Sequence, residues 1–233
     1  MNQKKFSLPP RWTYLPVILV IVMNFAVYYG CKLVLAGVPH HDPSIALDAM
    51  IPLIPAFVLF YVLAYPQWVF SYLFAGYENK KFLYEMMMAN IIAKLISMVV
   101  FLVYPTELVR PELTGGGLWN FVLGIIYASD TPVNLLPSIH CLESWLCIRV
   151  AMGCKKMPRW YLPFTIFLSV GVFASVVFVK QHCFLDIWTG ILAAEIGIWL
   201  SRATGAWRVL THLELPFMKE AAESERQGTN EET

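Results

Sequence analysis

The sequence predicts an all-α protein: an integral membrane bundle of six transmembrane helices, with a short interfacial segment between the third and the fourth. Three observations predict it. The chain is 58% hydrophobic and only 14% charged, against about 25% charged residues in ordinary soluble domains. Its apolar residues gather in charge-poor runs close to the ~20 residues that cross a bilayer as a helix. Its lysines and arginines collect at alternate ends of those runs, as the positive-inside tendency requires. A net charge of +1 and the lack of a basic stripe interleaved with aromatics argue against a nucleic-acid partner.

The elements follow in order. Residues 1–11 form a cytoplasmic N-terminal tail with Lys4, Lys5 and Arg11, and 12–202 form one membrane domain. Trp12 to Cys31 carries no charge and makes the first span. Its end, Tyr28-Tyr29-Gly30, lacks the small-residue cleavage pattern of a signal peptide, so the span is retained. His40-His41-Asp42, between Pro39 and Pro43, reads as a solvated loop rather than a metal site. Ala49 to Tyr77 is the second span despite Pro52, Pro55 and Pro66, because neighbouring helices can satisfy the backbone groups that prolines free. Phe82 to Tyr104 is the third, with Lys94 near its middle. Leu118 to Ser129 is apolar but too short to cross, and suits the interface. Ser138 to Gly153, Trp160 to Val179 and His182 to Ser201 are the fourth, fifth and sixth spans. Residues 203–233 form a second cytoplasmic tail, polar toward its end and expected to be partly disordered.

Six spans put both termini on one face. That face collects Lys4, Lys5, Arg11, Lys80, Lys81, Lys155, Lys156, Arg159, Arg202, Arg208, Lys219 and Arg226. The opposite face holds Lys32, Arg110 and Lys180. The crowded face is therefore the cytoplasmic one, and the other is extracytoplasmic or lumenal.

Three short stretches meet on that outer face: Arg110-Pro111, Pro137-Ser138-Ile139-His140, and His182 through Asp186. At i,i+4 on a helix, His182 and Asp186 would share one face, and the carboxylate would hold one ring nitrogen as N–H. The free nitrogen of His182 could then attack phosphorus, with no metal or other cofactor needed. His140 could protonate the leaving oxygen and later activate water or an alcohol. Arg110 could grip phosphate oxygens bidentately and Lys180 could add a point charge. Ser138 stands at a helix N-cap, where free N–H groups receive anions.

These residues also resemble a known family. Pro137-Ser138-Ile139-His140 and His182-x-x-x-Asp186 look like the second and third signatures of the type 2 phosphatidic acid phosphatase superfamily, and Arg110-Pro111 looks like the end of the first. The resemblance implies His182 as nucleophile, His140 as acid and Asp186 as the residue orienting the nucleophile. Two basic positions of the family pattern are replaced, by Val103 and Val176. Inositol phosphorylceramide and sphingomyelin synthases are similar in keeping the His-His-Asp core without the flanking cations. The expected activity is thus hydrolysis of a lipid phosphate ester or diphosphate through a phosphohistidine. The alternative is transfer of a phospho-headgroup between lipids, and a rival of another class is a transporter or an inactive membrane scaffold. The partners implied are the bilayer and a lipid phosphate; the oligomeric state and a Cys141–Cys183 bridge stay open.

Lys94, Arg149 and Glu195 fall within spans, where charges usually pair. Glu195 is expected to bridge Lys94 or Arg149. Glu143, about one turn below His140, is read as tuning that His or facing a wet cavity, and Asp130 as a loop cap.

Overall fold

The structure is a computed structural model that describes residues 9–10 and 13–212. The calls on Lys4, Lys5, Arg11, Trp12, Lys219 and Arg226, with most of both tails, lie outside the described residues. The described residues are helical, apart from loops joined by two isolated β-bridges. The helices are α1 (Tyr14–Val34), α2 (Ala46–Met50), α3 (Val58–Glu78), α4 (Lys80–Val103), α5 (Leu118–Ser129), α6 (Ile139–Gly153), α7 (Tyr161–Phe178), α8 (Phe184–Thr204) and α9 (Arg208–His212).

Five are long and apolar enough to cross a membrane: α1, α3 with the 3-10 turn before it, α4, α7 and α8. α6 has only 15 residues, about 22 Å of helix against a hydrocarbon core of about 30 Å. It is the enclosed centre of the bundle, packed by α3, α4, α7 and α8. From Ile139 to Ala151 every residue except Trp145 and Arg149 is buried. A helix shielded from lipid by its neighbours can carry His140, Glu143 and Ser144.

The second apolar run does not start at Ala49. Pro52 and Pro55 favour extended backbone at the preceding Ile51 and Ile54, because proline sterically disfavours the helical region for the residue before it. The helix proper begins at Val58, while Pro66 is absorbed inside it.

The site end of the bundle is made by the ends of α1, α4 and α7 and the starts of α3, α6 and α8. Its loops are stitched together. His41 N–H donates to Pro105 O (2.9 Å), Glu107 N–H to His41 O (3.0 Å) and Asn134 N–H to Thr106 O (2.9 Å). His41 also stacks on Tyr104 at 4.7 Å. At the other end Lys156 Nζ donates to Tyr77 O and Glu78 O.

α8 lies close against α4 and α6 because it carries glycine at both crossings. A Cβ at Gly190 would stand 2.6 Å from Ser138 O, and one at Gly197 would strike Ala89 O. The first approach lets Ser138 N–H donate to Asp186 O at 3.2 Å, tying the start of α6 to the start of α8.

Of the two pairings expected for Glu195, the one with Arg149 forms, while Lys94 finds another carboxylate. Lys94 Nζ meets Glu143 Oε1 at 2.8 Å and also donates to Asn24 Oδ1. The other oxygen, Glu143 Oε2, accepts from Tyr72 OH (2.6 Å) and Asn90 Nδ2 (2.8 Å). Glu195 pairs with Arg149 at 3.4 Å and accepts from Trp145 Nε1 at 2.6 Å. α4 meets α6 where Glu143 points, so Lys94 takes the nearer carboxylate.

Candidate active site

His182 does not ride on α8. That helix begins at Phe184 with Cys183 as its N-cap, so His182 sits in the turn just before it. Asp186, fully buried, uses Oδ2 twice: it accepts from Cys183 N–H at 2.8 Å and faces His182 Nδ1 at 3.2 Å. Leu135 O stands 3.0 Å from the same nitrogen. Both neighbours of Nδ1 are acceptors, so Nδ1 carries a proton, and in the neutral ring Nε2 is the nitrogen with the lone pair. Burial pushes the adjacent Cys183 thiol up to about 12, so it is a neutral neighbour rather than a rival nucleophile.

His140 lies in the first turn of α6, its ring centroid 6.1 Å from that of His182. It is set in aromatic rings: Tyr61 stacks on it at 4.1 Å, while Tyr65 and Trp68 meet it edge-on. These three occupy one face of α3 by their i, i+4, i+7 spacing.

A cavity of about 150 Å³ joins the two histidines, with Tyr28, Trp68, Asp130, Asn134 and Gln181 also in its wall. Three buried polar atoms in the wall residues have no partner among the described residues: His140 Nε2, Asn134 Oδ1 and Gln181 Nε2. Buried polar atoms are nearly always paired in folded proteins, so three around one cavity mark it as a place for a polar ligand. Among the described residues no group of three or more His, Cys, Asp or Glu is placed to hold a metal ion.

No family model matches the chain, and neither a curated protein nor a solved structure matches it. The likeness to the phosphatase superfamily therefore rests on the motif residues themselves.

Four of those residues converge: His140, His182, Asp186 and Ser138. Ser138 is the N-cap of α6, its Oγ accepting from Cys141 N–H at 3.3 Å. It is fully buried and absent from the cavity wall, so it shapes the helix start rather than presenting a side chain to a ligand.

The two cations are arranged otherwise. Lys180 Nζ is spent on Asp48 O (3.0 Å) and Ile51 O (2.6 Å). With Arg110, Asp48 and Cys183 it borders a second, more open cavity of about 430 Å³ on the far side of His182. Arg110 lies over the Tyr127 ring at 4.6 Å and donates from Nη1 to Asp130 O at 2.6 Å. Its Nη2 donates to Gln181 Oε1. Burial lowers its pKa, with the Asp130 charge pulling the other way.

Arginine has only donors, so the Gln181 atom facing it is the carbonyl oxygen and the amide NH₂ turns the other way. Arg110 thus orients a neutral donor in the cavity wall rather than entering it. Sequence reading passed over Gln181, whose signal was its place beside His182. Asp130 is more than a cap. It accepts from Tyr28 OH at 2.5 Å and Tyr61 OH at 3.2 Å, and Tyr61 is the ring stacked on His140. All five cysteines are free, Cys183 Sγ lying 3.4 Å from Ser44 Oγ.

Proposed function

We propose that the protein is an integral membrane enzyme that cleaves a lipid phosphoester by covalent catalysis at His182. The observation that carries the reading is the fixed tautomer of His182 opposite a second imidazole at 6.1 Å. His182 Nε2 attacks phosphorus and the bond from phosphorus to the leaving oxygen breaks. Protonated His140 gives its proton to that oxygen. Asp186 stabilises the positive charge on the His182 ring and keeps Nδ1 as the donor. His140, now neutral, takes a proton from water or an alcohol, whose oxygen attacks the phosphohistidine and frees His182. The Gln181 amide NH₂, turned away from Arg110 and without a partner among the described residues, donates to a phosphoryl oxygen.

In this reading six helices cross the bilayer, α6 doing so inside a sheath of its neighbours, and α5 lies at the interface. Its outer face, with Leu118, Phe121 and Ile125 exposed, suits lipid contact. Lys80, Lys81, Lys155, Lys156, Arg159, Arg202 and Arg208 sit at the bundle end opposite the histidines. That supports cytoplasmic termini and an outward site.

Hydrolysis leads, and headgroup transfer is the second reading. A specific observation favours the latter: Arg110 and Lys180 are committed to protein oxygens, so a singly charged diester suits the cavity better than a doubly charged monoester. The test is the full chain reconstituted in vesicles, with chelator, offered short-chain phosphatidic acid, a prenyl diphosphate or a phosphodiester lipid with an added alcohol. Turnover that needs both His182 and His140, with acid-labile phosphate trapped on His182, is the expected result. Phosphate release without acceptor identifies the phosphatase, and turnover only with acceptor identifies the transferase. Turnover unchanged by His182→Ala, or none on any of these lipids, overturns the reading and leaves the transporter or scaffold.

A further inference from the structure

We infer that the cavity between His140 and Asp130 selects a phosphodiester lipid whose headgroup carries an ammonium group. The inference rests on the lipid phosphoester reading for its phosphate, and adds the chemistry at the other end of the headgroup.

The argument starts from charge. Asp130 is the carboxylate in the cavity wall, and neither Lys nor Arg shares that wall. Arg110 stands behind the loop on Asp130's own carbonyl oxygen. Two tyrosine hydroxyls meet the carboxylate, one on each oxygen, while a carboxylate offers about four acceptor positions. Its remaining capacity and its charge favour a cation in the cavity. A phosphate dianion placed beside it would be repelled.

The rest of the wall agrees. Phe25, Tyr28, Tyr29, Tyr65 and Trp68 surround the same space. Rings around a carboxylate attract a cation through their negative faces, and they do so most for a weakly hydrated quaternary ammonium. The polar atoms that favour a phosphate, His140 Nε2 and Gln181 Nε2, belong to wall residues on the histidine side. The cavity therefore has one region for a phosphate and another for a cation.

The cleft continues into lipid. A mostly apolar cavity of about 210 Å³ between α1 and α3 shares Asn24, Phe25, Tyr65 and Trp68 with the first. A diacylglycerol portion can leave along it while the phosphoryl group and its ammonium stay with His182.

The test is binding to the full chain in maltoside micelles, followed by calorimetry, with no turnover required. Glycerophosphocholine and glycerophosphoglycerol are both soluble phosphodiesters and differ in the ammonium. Glycerophosphocholine is expected to bind at least ~10-fold tighter. Asp130→Asn should bring the two within about threefold. Tyr65→Leu, at a half-exposed ring whose loss the fold tolerates, should reduce the preference as well. Short-chain phosphatidylcholine should bind at least ~10-fold tighter than glycerophosphocholine, which marks the ligand as a lipid. Equal binding of the two diesters, binding of neither, or a preference that survives both substitutions overturns the inference. Equal affinity for the lipid and its soluble headgroup overturns the lipid assignment. Because binding is read without catalysis, the cage stands or falls apart from the phosphohistidine, which His182→Ala tests.

Discussion

Arg110 donates to the side-chain oxygen of Gln181, and this contact fixes which way the Gln181 amide faces. Neither residue is free to change alone. Gln181→Leu removes the donor offered to the phosphoryl group and should lower kcat on the order of 10²-fold, the usual cost of one oxyanion donor. Arg110→Met should cost a similar factor without touching substrate, since it lets the amide turn. The double variant should be no slower than the slower single one. Steady-state rates of the three variants check this; additive losses would show that Arg110 acts by itself.

Asp186→Asn keeps an oxygen for Cys183 N–H, so thermal stability should change by no more than about 1 kcal/mol. That same oxygen faces His182 Nδ1, so the tautomer is kept and the loss is the negative charge that stabilises the His182 ring as it becomes cationic. Activity should fall on the order of 10²–10⁴-fold. Leu135 O still holds Nδ1, which places the loss toward the lower end. Turnover and unfolding measured on the same preparation separate the two effects.

Lys94 and Glu143 are a buried pair, with side-chain exposures of 0% and 3%. Breaking such a pair strands a charge at a cost of about 3–5 kcal/mol, whereas replacing both partners with apolar groups is often neutral. Lys94→Met and Glu143→Leu should each lower the unfolding temperature sharply, and the double variant should recover most of the loss. A double variant less stable than either single would contradict this.

Gly190→Ala places a methyl group against the backbone oxygen of Ser138, 2.6 Å away. Backbone cannot yield as a flexible side chain does, so α8 must shift from α6, at about 1–3 kcal/mol. That shift moves His182 relative to His140, and activity should fall further than stability does. Gly30→Ala, with nothing within 4 Å, is the control and should leave both unharmed.

Lys180→Met removes two hydrogen bonds to Asp48 O and Ile51 O. It should cost about 1–3 kcal/mol of stability while kcat changes less than about threefold. A large rise in KM with unchanged stability would mean instead that the ammonium reaches the substrate.

Much of this arrangement is legible in the chain. The apolar runs mark five long helices because length and hydropathy are local properties. Pro-Ser-x-His marks a capped helix start, since the cap bond spans only three residues. The spacing of His182 and Asp186 was a good guide to their contact and a poor guide to its setting. A carboxylate at the third position of a helix can reach back past the N-cap, so the pair forms without His182 being helical. What escaped the sequence depends on packing between distant segments. Lys180 was a free cation on paper, and only the fold of the Asp48–Ile51 segment shows its acceptors. Depth alone left Glu195 free to meet Lys94 or Arg149, and only the packing of α6 against α4 brings Glu143 to Lys94 and leaves Glu195 to Arg149. Asp130 and Gln181 matter because α1, α3 and the loop before α5 bring Tyr28, Tyr61 and Arg110 to them, which no single stretch contains.

His182 depends on Leu135 and Asp186 for its anchors, and the start of α8 depends on Ser138 for its place. A chain threading from the ribosome into the bilayer releases α1, α3 and α4 first and the α7–α8 hairpin last. Until that hairpin has inserted, His140 has no partner imidazole. Synthesis order thus makes the two-histidine cavity one of the last features of the fold to be completed.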